Sequence, residues 1–351
     1  MRITLTALAA TALAASAAAE TPARVYVPLG EAGAVAAIDP ETDRVTGRIE
    51  GLPAVHGLAV TPDGETLVAG SFATRPAGAA PERPTEMSEA EHAAHHGGGG
   101  LMAGAAPADG EVSVVTLVRA EDGRVLRRID APGAVHHVAV GPRGRVAVVT
   151  HPGEGAVTIL DLERGEALRT VATGPSPNYA AFSPDGDVVY VSNTGNDTVS
   201  AVDARDGLVR WNARTGAGPE HLVLSKDGGR LYVADAAGGS VTVIDTAARE
   251  AADTIEIGDA LHGIDLSDDE RTLYVAGLGQ ETVVAVDLET GERRSAALAA
   301  PYHLEVVDGL GDVYVTEADG PALRVLGPDL ALKDEIALDG RGHQIVVAPG
   351  S

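Results

Sequence analysis

The chain has no cysteine in its 351 residues. That excludes disulfides, thiolate metal sites, iron–sulfur clusters and covalently attached c-type haem, and leaves the core alone to hold the fold. Basic residues are scarce, with 26 Lys and Arg against 51 Asp and Glu, for a formal net charge of -25 and a pI near 4.7. No basic footprint exists for nucleic acid. The acidity suits solubility after export and attracts cations. Long apolar runs are also missing, so no membrane-spanning helix is expected. The one short apolar stretch runs from Ile3 to about Ala15, after Met1-Arg2, and ends in Ala17-Ala18-Ala19. A basic start, a small apolar middle and an A-x-A close read as a secretory signal peptide over 1–19, leaving 20–351 as one mature domain in the periplasm.

What the sequence does contain is a repeat of about 42 residues, within the 40–45-residue range of four-stranded propeller blades. The clearest copy, HLVLSKDGGRLYVADAAGGSVTVIDTAAREAADTIEI from His221, reads as four short strands a to d with Asp-Gly turns. Its strands are rich in Val, Ile, Leu and Tyr, as pleated, half-buried strands require, and its turn residues tolerate the backbone angles of tight hairpins. Strand a begins again near Val55, Val135, Pro177, Leu261, Tyr302 and Gly342. The last copy stops after one strand, while Arg24 to Glu50 supplies a b, c and d without an a. The expected architecture is therefore all-β: a seven-bladed β-propeller closed by the C-terminal strand joining the N-terminal blade, with 343–348 pairing against 24–28. Closure of this kind removes exposed sheet edges.

One blade is irregular. Between strands b and c of blade one lies an insertion, at about 72–109, made largely of Ala, Gly, Pro and Glu. Such a composition cannot bury a core, and a mobile segment is expected. It carries His92, His95 and His96, flanked by Met87 and Met102.

The eleven histidines are not scattered. Aligning the strand-a starts gives one column of His56, His136, Asn178, Glu220, His262, Tyr302 and His343. The next column is Gly57, His137, Tyr179, His221, Gly263, His303 and Gln344. Strand a is innermost in a blade, so both columns should ring one mouth of the central channel. Converging imidazoles suit Zn²⁺, with copper the alternative. His56, His136 and His343 come from adjacent blades and, with His262, form the first-choice ligand set. Strand b returns to the same face and ends at His151 in blade two, Asp235 in blade four and Glu317 in blade six; these are further ligand or orienting candidates. The insertion also leaves from the end of strand b, which puts His92, His95 and His96 within reach. Trp211 is assigned to packing on strand d.

The segment PSPNYAAFSPDGDVVYVSNTGNDTVSAVDARDG resembles the YVTN-type repeat of bacterial propellers. With export, a channel-mouth histidine cluster and a His-rich loop, the chain is similar to AztD-like periplasmic zinc metallochaperones. That resemblance implies a monomer without catalytic activity that passes zinc to the solute-binding protein of a zinc ABC transporter. Two other classes stay open. One is a metal-dependent propeller enzyme, either a lyase or lactonase using acids and amides such as Glu220 and Asn178, or a copper redox type. The other is a metal-free interaction scaffold.

Overall fold

The structure is a computed structural model; it describes residues 23–78 and 110–349. Seven antiparallel sheets follow one another around an axis. Blade three shows the plan, with strand a at Pro177–Phe182, b at Val188–Asn193, c at Thr198–Asp203 and d at Val209–Arg214. The a–b hairpins follow from a short sequence device. A Ser or Thr hydroxyl reaches the Asp two residues on, at 2.6 Å for both Ser183–Asp185 and Ser225–Asp227. The next residue turns through positive φ, 72° at Gly186 and 74° at Gly228, where glycine carries no steric cost.

Burial is highest in the b and c strands and lowest in the d strands. The interiors of the b strands are buried throughout, as in Val188–Asn193, whereas strand d of Glu250–Glu256 is almost wholly exposed. The core is a series of apolar seams between neighbouring blades. Val148, Val157 and Ile159 of blade two, for example, pack on Ala180, Val189, Val191 and Val202 of blade three. Tyr26 and Tyr314 are among the largest fully buried side chains.

Closure is seen in blade seven. Strand Val346–Ala348 pairs antiparallel with Arg24–Leu29, in the register Arg24↔Ala348, Val25↔Val347 and Tyr26↔Val346. The amide of His343 also donates to the carbonyl of Pro28 at 3.1 Å. The pairing is shorter than the expected 343–348, because His343 and Gln344 turn to the imidazole layer of the channel mouth while Ile345 packs in a seam between blades. Blade one gains a fifth strand: Arg75–Pro76, at the start of the insertion, pairs with Val112 and Glu111 of strand c. His92, His95, His96, the rest of the insertion beyond Gly78, and the 1–19 signal segment lie outside the described residues. Among the described residues no helix is long and apolar enough to cross a membrane.

Candidate metal centre at the channel mouth

In a regular strand, neighbouring side chains point to opposite faces. At the channel mouth this rule is broken in a repeated way. The a–b register slips between Pro177 and Ala180, Pro219 and Leu222, Leu261 and Ile264, and Pro301 and Leu304, leaving two residues of strand a unpaired each time. These are β-bulges, and the two unpaired residues are the two columns of the sequence repeat. A bulge re-aims side chains, so residues from both columns reach the axis.

The result is a continuous imidazole layer. Ring centroids lie 3.8 Å apart for His56–His343, 4.4 Å for His303–His343, 4.5 Å for His221–His303 and 4.4 Å for His221–His262. His136 adjoins His56 at 4.7 Å, and Phe72 stacks on His56 at 5.1 Å. Tyr302 lies flat on His262 at 3.8 Å, and Tyr179 bridges His137 at 3.5 Å to His221 at 4.3 Å. All seven histidines are buried.

Two glycines make the close approach feasible. A Cβ on Gly263 would lie 2.4 Å from the amide nitrogen of Leu304, and one on Gly57 would lie 2.8 Å from the carbonyl oxygen of His136. Both obstacles are backbone of the next blade and cannot swing aside. Gly263→Ala is therefore expected to cost about 2–3 kcal/mol, as overpacking does, and to lower the melting temperature by roughly 3–5 °C in a domain of this size. Thermal melting followed by circular dichroism checks this; an unchanged melting point would mean that the blades can separate there freely.

Hydrogen bonds fix which ring nitrogen carries the proton. His56 Nδ1 donates to the carbonyl of His136 at 2.8 Å, and His136 Nδ1 to that of Asn178 at 3.2 Å. His262 Nδ1 donates to Glu220 Oε2 at 2.8 Å. In each ring Nε2 then bears the lone pair, the form in which imidazole binds metals. Hydroxyls that the sequence reading missed hold this arrangement across blades. Thr150 donates to Asn178 O and Thr316 to His343 O, while each accepts the amide of its own blade's second-column histidine, His137 or His303.

Three ligands converge. The candidate ligand atoms of His221, His262 and His303, on consecutive blades four to six, lie within 4.8 Å of one another. The Nε2 atoms of His262 and His303 are buried without a hydrogen-bond partner. In a tetrahedral site with Zn–N of about 2.0–2.1 Å, neighbouring nitrogens stand roughly 3.3 Å apart. The cage thus has to contract by up to about 1.5 Å on loading. Burial, reinforced by the adjoining imidazoles, holds His221 and His303 well below the ordinary imidazole range, so both are neutral at pH 7.

The other candidates are placed differently. His56, His136 and His343 belong to the imidazole layer on its blade seven-to-two side. His137 is gripped at both nitrogens, Nδ1 accepting from the Ala180 amide at 3.2 Å and Nε2 lying 3.1 Å from the Gln344 side-chain amide; burial lowers it to about 3. His151 is likewise engaged on both sides, by Ala134 O at 3.0 Å and Thr158 Oγ1 at 2.9 Å. Asp235 takes hydroxyl bonds from Ser240 and Thr242, and burial raises it to about 6. Glu317 pairs with Arg324 at 2.7 Å. His151, Asp235 and Glu317 are fastened to strand c of their own blades, and the structure does not bring them into the three-ligand set.

Deeper along the same strands lie two further acids, Asp265 and Glu305. They occupy a position where the other blades carry Ala59, Ala139, Ala181, Val223 and Val346. Asp265 accepts the amides of Val306 and Leu266, both at 2.8 Å. Burial lifts Asp265 to about 7 and Glu305 well above the carboxylate range, and Glu305 feels the charge of Asp265 next. The signal was present in the sequence as two acids interrupting an apolar strand.

A family model described as "Outer membrane protein assembly factor BamB" matches residues 108–326, well over half of the chain. The chain belongs to this PQQ_2 family. No curated protein matches the sequence. Among solved structures, the PQQ_2 chain is similar to the periplasmic gluconolactonase PpgL of Pseudomonas aeruginosa, at 18% identity over 94% of this chain and 99% of that one, TM-score 0.68. It is also similar to a protein of Bacteroides fragilis named as a candidate 6-phosphogluconolactonase, at 14% identity over 96% and 100%, TM-score 0.72. Hydrazine synthase of Kuenenia stuttgartiensis matches at 17% over 84% and 89%, TM-score 0.67.

At these identities the likeness is one of fold. It corrects one expectation nonetheless. A chain without catalytic activity was expected, yet propellers named as enzymes match this PQQ_2 member over most of its length and of their own. The non-catalytic assignment is withdrawn. The propeller resemblance stands at the level of family and fold.

Proposed function

We propose that the protein is a metal-dependent propeller enzyme that holds a zinc ion between His221, His262 and His303 and hydrolyses a small cyclic ester. The carrying observation is the set of three buried ligands within 4.8 Å, two of them with buried, unpartnered Nε2 atoms. Three imidazoles without thiolate suit zinc, with copper the alternative. Three protein ligands also leave a coordination position open for water or substrate, and a bound zinc there would polarise a carbonyl and acidify water. The chain's own groups supply the rest. Glu220 fixes the His262 tautomer, and Asp265, raised to about 7 by burial, is a group that titrates near neutrality deeper along the same strand as His262. The ester class is suggested by the lactonases of similar fold, an analogy of architecture.

The test is elemental analysis of the purified protein, followed by turnover of a sugar δ-lactone before chelation, after chelation, and after zinc is restored. Turnover that disappears and returns with zinc supports the reading. A zinc-loaded sample no faster than the chelated one overturns it.

One observation favours a second use of the same ion. Phe72, where the insertion begins, stacks on His56, so the first residue of the insertion touches the imidazole layer; His92, His95 and His96 lie outside the described residues. In that reading the insertion loads zinc into the layer, and the exported protein, a periplasmic monomer, hands zinc to the solute-binding protein of a zinc transporter. Zinc moving to such an acceptor faster than free dissociation allows would favour delivery.

A further inference from the structure

We infer that Glu220 is a charge-balancing positioning residue that tunes the imidazole cage toward divalent cations. The inference rests on the metal reading above and adds a determinant of which ion is held.

Glu220 lies on strand Pro219–Leu224 of blade four and reaches across to blade five, where its Oε2 sits 2.8 Å from His262 Nδ1. The pair is largely buried, with 24% of the Glu220 side chain and 10% of the His262 side chain exposed. Tyr302 covers His262 with its ring nearly parallel, at 12°. His56 and His136 give the same Nδ1 proton to main-chain carbonyls instead. His262 alone of these three has a charged acceptor, which makes its Nε2 the most electron-rich.

The carboxylate is also uncompensated. Glu317, buried in blade six, is neutralised by Arg324. Among the described residues, no lysine or arginine pairs with Glu220; its partner is His262. A carboxylate held away from water without a counter-charge is costly, and a cation arriving in the cage relieves that cost. The relief scales with the cation's charge. An all-neutral imidazole cage lacks this discrimination between one and two positive charges, whereas one backed by Glu220 has it.

Glu220→Gln separates charge from shape, because the amide oxygen still accepts the His262 proton. Removing an orienting carboxylate behind a metal-bound histidine typically costs 10–100-fold in affinity. Zinc affinity, measured by competition with a chromogenic chelator, is expected to fall by that factor. Affinity for Ag⁺, a monovalent imidazole-binding ion, is expected to fall by about the square root of it, 3–10-fold, since the lost attraction is halved. Glu220→Asp keeps the charge and should retain the wild-type zinc-to-silver ratio, which guards against misfolding of the Gln variant. Equal losses for the two ions, or none, overturn the inference while leaving the zinc site intact. Wild-type protein that binds neither ion removes the zinc reading and the inference together.

Discussion

A chain ending at Arg341 is expected to be unfolded at 25 °C. The missing ten residues include the strand that closes blade seven, and their side chains contribute to two inter-blade seams. Val346 and Ala348 pack in the seam with Tyr26, Val35 and Leu67, and Ile345 in the seam with Val25, Val27 and Tyr314. Burying a Val or Ile side chain contributes about 1.5–3 kcal/mol, so Ile345 and Val346, with the buried Ala348 and the partly buried Val347, contribute roughly 5–8 kcal/mol. Whole domains are stable by only about 5–15 kcal/mol. Truncation also exposes an unpaired edge along Arg24–Leu29, a template for aggregation. Far-ultraviolet circular dichroism on the truncated chain checks this. A cooperative melt within a few degrees of the full-length protein would show that the ring does not depend on its clasp.

The second large effect concerns the cage. His221→Ala combined with His303→Ala removes two of three converging ligands, and zinc affinity is expected to fall at least a thousandfold, taking a few kcal/mol per lost imidazole as typical of structural zinc sites. The same pair changes the response to acid. Both imidazoles stay neutral in the folded protein well below pH 6.5, while the unfolded chain protonates them there. The unfolded state then binds more protons, so stability is lost as pH falls below about 6.5, at about 1.4 kcal/mol per pH unit for each such group. His137, at about 3, and His151, at about 4, act in the same direction. Asp235, Asp265 and Glu305 oppose them. Their folded values are raised, so they keep protons that the unfolded chain has lost, and they add stability as pH falls toward about 4. These acids are common to both proteins and drop out of the difference. The double variant is expected to be less acid-sensitive than wild type by about 2.7 kcal/mol per pH unit between roughly pH 6 and 4. Urea titrations of the metal-free proteins at pH 7, 6, 5 and 4 read this directly. Parallel curves would mean that the two imidazoles are protonated in the folded state.

The repeat made the seven blades, their strand order and the closure legible, because Asp-Gly turns and alternating strands recur at a fixed period. It also showed two histidine columns on one face. It did not show which histidines converge. A column gives height along the axis but not the direction of a side chain, and direction here depends on a bulge that no residue type announces. The first-choice set of His56, His136, His343 and His262 came from one column. The close triple takes His221 and His303 from the second column and His262 from the first. His151 and Asp235 were misleading for a related reason. They sit at the correct end of strand b, but Thr158, Ser240 and Thr242 on strand c turn them sideways into their own blades. Glu220 was visible as the one acid in the first column, and only the fold shows that it crosses to the histidine of the next blade.

Blade seven has a further consequence. Arg24 and Ala348 are ladder partners, so the two ends of the described chain lie side by side in one sheet. The blades form a cyclic order in which no blade comes first. The polypeptide is that circle cut once, within a blade and next to its innermost strand, and His343 and Gln344 owe their place in the imidazole layer to this cut. Residues at opposite ends of the described chain are as close neighbours in the channel as residues one repeat apart, and drift in either Arg24–Leu29 or Val346–Ala348 is felt at once by the centre of the molecule.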